Sequence, residues 1–183
     1  MRHLYLVRHA SPVIRPSEPA RDWPLSERGI AEAERLTVTA DSWGIEALYS
    51  SSEAKARATA LVLGDALGLP VRVADAFDEL RCDWIANADE FNETVRAILE
   101  GEPPPRGAES RDDAASRFAD GVSIVAAGPL PAAIVSHGRI MTAYLAAHRP
   151  LESPFEYWRA IPMPGWARID LDAPHEAPPP FGS

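Results

Sequence analysis

Two short runs stand out in the hydrophobic pattern because they are continuous rather than alternating: Leu4-Tyr5-Leu6-Val7 and Ala132-Ala133-Ile134-Val135. Runs of this length and character predict strands buried on both faces, as in the middle of a parallel sheet. Between them the period changes. Ile30, Ala33, Leu36 and Ala40 form a helical stripe behind Ser26, a suitable N-cap, and Trp43-Gly44 ends it. Residues 47–50 predict a short strand. Ala56, Thr59, Ala60, Leu63 and Leu67 then share one helical face, closed by Gly68 with Pro70 just beyond. Val71-Arg72-Val73 reads as a brief strand.

Residues 76–107 are the least regular part of the chain. Residues 91–99 predict a helix, followed by a stiff loop through Gly101, Pro103, Pro104, Pro105 and Gly107. Ala114, Phe118, Gly121, Val122 and Val125 predict another helix over 113–127. A helix carrying Ile140, Tyr144 and Leu145 follows the second apolar run, and a final strand is expected over 167–171. The tail from Ala173 holds Pro174, Pro178, Pro179 and Pro180, which predicts a disordered or extended segment. Alternating strands and helices favour a layered α/β fold, with one domain over 1–172 and the proline-rich tail over 173–183.

Bulk composition narrows the classes. A chain of 183 residues suits a single domain with a sizeable core. No stretch approaches the roughly 18 apolar residues of a membrane span, and the first strand begins too early for a signal peptide. Cys82 is the only cysteine, so no internal disulfide can form and a reducing cytoplasm is the expected compartment. A net charge of −9 argues against nucleic acid and anionic membranes as partners. Any anion site must therefore gather its cations locally. No Cys pair, His-Glu-x-x-His motif, Walker loop or dinucleotide fingerprint is present, so neither metal, ATP nor NAD is expected as cofactor.

The candidate chemistry lies where the two apolar runs end. The first runs into Arg8-His9-Ala10, the second through Ser136 into His137-Gly138. If the two strands are parallel neighbours, both histidines and Arg8 meet at the sheet edge where α/β folds open a ligand crevice. Two imidazoles beside a guanidinium suit a phosphoryl group, whose oxygens an arginine fork matches. His3, His148 and His175 are expected to be surface or otherwise satisfied residues.

Five segments, in order, carry a resemblance. Arg8-His9-Ala10, Leu25-Ser26-Glu27-Arg28-Gly29, Tyr49-Ser50-Ser51 through Lys55-Ala56-Arg57-Ala58-Thr59-Ala60, Phe77-Asp78-Glu79-Leu80, and His137-Gly138 together resemble the histidine phosphatase superfamily, the phosphoglycerate-mutase-like fold. The likeness spans roughly residues 2 to 172 and implies a three-layer α/β/α sandwich on a mostly parallel sheet. It implies His9 as nucleophile, forming a phosphohistidine, with Arg8 as first phosphate clamp. His137 would be a second clamp if held as an imidazolium; otherwise it is a buried neutral histidine capping the next helix.

The third clamp departs from the family pattern. Its second pocket arginine falls on Lys55, a point charge without the bidentate fork, while Arg57 should face elsewhere on the helix. Arg15 stands where many relatives carry asparagine, as an added cation or as loop variation. Glu79 is the implied general acid and base, with Asp78 a competing assignment. That role requires a carboxyl protonated near neutral pH, against an apolar wall of Phe77, Leu80 and Trp84. Arg139 either contacts the phosphate or substrate, or is a surface arginine.

The resemblance thus implies a metal-independent phosphatase acting on a small phosphomonoester. The alternatives are phosphoglycerate-mutase-type phosphotransfer, a protein phosphohistidine phosphatase, and a non-catalytic scaffold that binds a phospho-ligand. Substrate specificity is expected from the loops at 11–24 and 80–107. Oligomeric state stays open, because the five tryptophans suit core, pocket or interface alike.

Overall fold

The computed structural model describes residues 2–173 and 176–183; His175 and Pro174, on which sequence expectations fell, lie outside them. Five strands form one sheet: β1 (His3–Arg8), β2 (Ala47–Ser50), β3 (Val71–Val73), β4 (Ala132–Ser136) and β5 (Gly165–Asp170), in the order β3-β2-β4-β1-β5. Four of them run parallel, and β5 pairs antiparallel with β1. Six α-helices flank the sheet: α1 (Glu27–Ala40), α2 (Ala54–Leu67), α3 (Ala88–Leu99), α4 (Arg111–Ala126), α5 (Gly138–His148) and α6 (Pro154–Ala160).

The continuous apolar runs are buried on both faces because helices cover both. Tyr5 and Val7 of β1 join Leu48, Ala133 and Val135 under Leu36 of α1 and Ala56, Ala60 and Leu63 of α2. Leu4 and Leu6 point the other way, with Ile134, into a larger core of Phe77, Phe118, Ile140, Leu145 and Phe155. Successive strand residues alternate between these two layers, as the pleat requires. The expected three-layer α/β/α sandwich is the observed one.

Caps explain where helix limits differ from the pattern. Asn87 accepts from the amides of Asp89 and Glu90, so α3 starts three residues before the apolar stripe does. Ser110 does the same for α4 by accepting from Asp113. The short α6 was not anticipated; Ser153 caps it and Pro154 occupies its first turn. The tail, expected to be disordered or extended, is extended and docked over its described residues. Gly182 bridges to Trp166 of the edge strand β5, Phe181 packs at 6.1 Å from Tyr157, and the Tyr157 hydroxyl donates to Pro179. Among the described residues no helix is long and apolar enough to cross a membrane.

Candidate active site

Sheet register brings the site together. Arg8 pairs with Ser136, so β1 and β4 end level, and the ladder continues one step beyond both. The His9 amide donates to Ser136 at 3.0 Å, and the Ser51 amide donates to Val135 at 3.0 Å. His9, His137 and Ser51 therefore emerge side by side from three adjacent strand ends. The rings of His9 and His137 lie edge to face with centroids 5.0 Å apart. His9 is 5% exposed and His137 fully buried.

The loop after His9 is pinned from below. The carbonyl of Ser11 accepts both the amide and the hydroxyl of Ser26, and that hydroxyl also caps α1 at Gly29. A Cβ on Gly29 would fall 2.1 Å from the same carbonyl, so only glycine fits there. Glu32 accepts the Ser11 amide at 3.0 Å, and Thr59 of α2 accepts the Ala10 amide at 3.1 Å. These contacts account for the Leu25-Ser26-Glu27-Arg28-Gly29 and Thr59-Ala60 segments. Both hold the chain around His9.

Arg8 donates to the carbonyl of Ile161 at 2.6 Å, while its buried Nε has no partner among the described residues. Gly138, expected to let backbone approach a ligand, instead makes room for neighbouring side chains. A Cβ there would lie 3.0 Å from Trp158 and 3.3 Å from Arg8 Nε. Helix α6 thus supports the site through Trp158 and Ile161. Burial lowers the Arg8 pKa, with Glu79 opposing that shift.

Lys55 is buried, and its ammonium is tied to Glu53 and, at 2.8 Å, to the carbonyl of Ala20. Glu53 itself was missed in the sequence. Its signal was an acidic residue two positions before a lysine at a helix start. Its Oε2 lies 3.8 Å from His137 Nε2, and its Oε1 accepts the Glu79 amide at 2.9 Å. Arg57 is exposed, as its place on the helix requires.

The two acidic candidates separate. Asp78 is engaged with Ser51 and Ser52: its Oδ1 accepts the Ser51 hydroxyl and the Ser52 amide, both at 2.7 Å. Glu79 accepts the amides of Leu80 and Ile140 at 2.8 and 2.9 Å, with Arg139 Nε 3.3 Å from its Oε2. Arg117 of α4 holds this segment by donating to the carbonyls of Asp75, Ala76 and Asp78.

Electrostatics depart from expectation at Glu79. Burial alone would raise its pKa, but Arg139, His137 and the two amides outweigh burial and hold the carboxyl at about 2. Trp84 does not wall it; that ring stands 4.9 Å from Trp23, joining the loops at 11–24 and 80–107. His137 also differs from the imidazolium expected. Burial outweighs the attraction of Glu79 and brings its pKa down to about 3. For His9, burial and then His137 and Lys55 push the pKa well below its usual range.

Arg15 and Arg139 resolve in opposite directions. Arg15 is exposed and pairs with Glu18 at 3.2 Å, away from the histidines. Arg139 is no surface residue: it is 16% exposed and faces Glu79.

A cluster of two strand-end histidines, an arginine and a buried lysine is matched by the family comparison. The model of the histidine phosphatase superfamily, branch 1, matches residues 4–174. The chain belongs to this superfamily. It is a phosphatase, and solved relatives share its fold. A mycobacterial glucosyl-3-phosphoglycerate phosphatase, solved with VO3, is 26% identical with a TM-score of 0.74, over 93% of this chain and 91% of that one. A phosphoserine phosphatase from Entamoeba histolytica, solved with phosphoserine, has a TM-score of 0.76 at 18% identity, over 100% of this chain and 98% of that one. No curated protein sequence matches significantly.

Proposed function

We propose that this histidine phosphatase hydrolyses a small phosphomonoester through a phosphohistidine on His9, without a metal ion. The observation that carries the reading is the aim of the His9 ring. Its Nδ1 lies 2.8 Å from the carbonyl of Ala10, which can only accept. The proton is therefore on Nδ1, and Nε2 keeps its lone pair. With the pKa held low, the ring is neutral and nucleophilic at neutral pH.

In the first step Nε2 attacks phosphorus as the bond to the ester oxygen breaks. Arg8, Lys55 and His137 offset charge on the remaining phosphoryl oxygens. Glu79 gives a proton to the departing oxygen, then takes one from the water that cleaves the phosphohistidine. Because Glu79 is ionised in the free enzyme, that proton must arrive with the substrate. A phosphoryl anion beside the carboxylate raises its pKa and lets it hold one. Support for a small phosphorylated substrate comes from the mycobacterial relative, which has also been solved with inorganic phosphate.

Quenching turnover of a radiolabelled phosphomonoester in alkali tests the intermediate. Alkali-stable, acid-labile label is expected on the native chain and absent from His9→Ala. Label retained by that variant overturns the proposal.

A further inference from the structure

Ser51 ends β2 beside His137, and its hydroxyl is fully engaged. It donates its one proton to Asp78 Oδ1 at 2.7 Å, since an ionised carboxylate only accepts. Its lone pairs face the Glu53 amide at 3.1 Å and His137 Nε2 at 2.8 Å. The Asp78 carboxylate is itself fixed, by the Ser52 amide at 2.7 Å and the Ser52 hydroxyl at 2.8 Å. A hydroxyl with no proton left can only accept from His137, so Nε2 carries the ring proton. Glu53 Oε2, 3.8 Å from the same nitrogen, favours that arrangement. In the neutral ring Nδ1 then bears a lone pair, buried and without a partner among the described residues.

Building on the function proposed above, we propose that Ser51 and Asp78 are positioning residues that fix the Nε2–H form of His137, so that a phosphoryl group engages Nδ1 only together with a proton. A bare lone pair repels a phosphoryl oxygen, whereas a protonated Nδ1 donates to it. The balance is one proton onto Nδ1 when phosphate dianion binds, returned to solvent when it leaves; no other bond changes. Seven charged or titratable groups surround the ring. Glu53 and Lys55 come from the start of α2, Asp78 and Glu79 from the turn after β3, Arg139 from α5, and Arg8 and His9 from the end of β1. The carboxylates favour the imidazolium and the cations oppose it, and an arriving dianion shifts that balance towards protonation.

Nitrogen NMR of the His137 ring and calorimetry with inorganic phosphate, in buffers of different ionisation enthalpy at mildly alkaline pH, read the two parts. The native chain is expected to show Nε2–H and to take up about one proton per phosphate, so that affinity falls about tenfold per pH unit. Asp78→Asn keeps an oxygen that accepts from Ser51 and should retain the Nε2–H form. Asp78→Ala and Ser51→Ala should mix the tautomers and weaken phosphate binding. His9→Ala should lose turnover yet keep proton uptake, which separates failure of this proposal from failure of the phosphohistidine reading. An Nδ1–H native ring, phosphate binding without proton uptake, or an Nε2–H ring unchanged in Ser51→Ala overturns it.

Discussion

Glu53 and Lys55, two residues apart at the start of α2, form a buried ion pair in which the other carboxylate oxygen accepts the Glu79 amide at 2.9 Å. The lysine that stands in the place of an arginine thus comes with its own counter-charge. The same pair ties three segments together, since the ammonium also holds the carbonyl of Ala20. Removing one partner leaves the other charge buried. Glu53→Ala is expected to cost about 3–5 kcal/mol in chemical denaturation. Adding Lys55→Ala should cost less than the sum of the two single changes.

Acid should destabilise the fold in a defined window. His137 has a native pKa of about 3 against 6.5 unfolded, so the unfolded chain takes up a proton that the native chain refuses as pH falls through 6.5. His9 acts in the same direction. Glu79, at about 2 against 4.5, contributes stability that is present above 4.5 and lost as pH falls towards 2. Stability measured against pH should decline from 6.5 downward. His137→Gln is expected to flatten the upper part of the decline and Glu79→Gln the lower part. A native chain equally stable at pH 6.5 and 4.5 would contradict the assignment.

Two glycines should respond differently to alanine. At Gly29 the obstacle is the Ser11 backbone carbonyl, 2.1 Å from a new Cβ, which cannot yield without moving the loop around His9. Gly29→Ala should lose more than about 2 kcal/mol of stability. At Gly138 the obstacles are the side chains of Trp158 and Arg8, at 3.0 and 3.3 Å. Gly138→Ala should fold, yet lower kcat/KM by about 10–100-fold by displacing Arg8.

Arg15→Ala and Arg139→Ala form a matched pair. The first breaks an exposed ion pair with Glu18 and should leave steady-state kinetics unchanged, with stability within about 0.5 kcal/mol. The second frees Glu79 from its nearest cation, so its pKa rises. The pH–rate profile should shift with it.

Much of this was legible in the sequence. Runs such as Leu4 to Val7 and Ala132 to Val135 had to be buried strands, and what followed them had to meet at one sheet edge. Helix stripes gave α1, α2 and α4 with limits set only by their caps. Protonation was not legible. Glu79 was expected to be walled by Trp84 and protonated, but the groups that decide its charge are Arg139 and two amides brought from α5 and its own turn. Asp78 read as a rival acid because its engagement with Ser51 and Ser52 depends on how β2 ends beside the turn after β3. Helix α6 escaped notice for want of a long apolar stripe, though Ser153-Pro154 marked its start.

Hydrolysis of p-nitrophenyl phosphate in excess chelator, by the native chain and by His9→Ala, bears most directly on the phosphohistidine route. Turnover that survives chelation in the native chain and is abolished in His9→Ala is the expected result. Undiminished turnover in His9→Ala, or activity of the native chain that chelator removes, would contradict it.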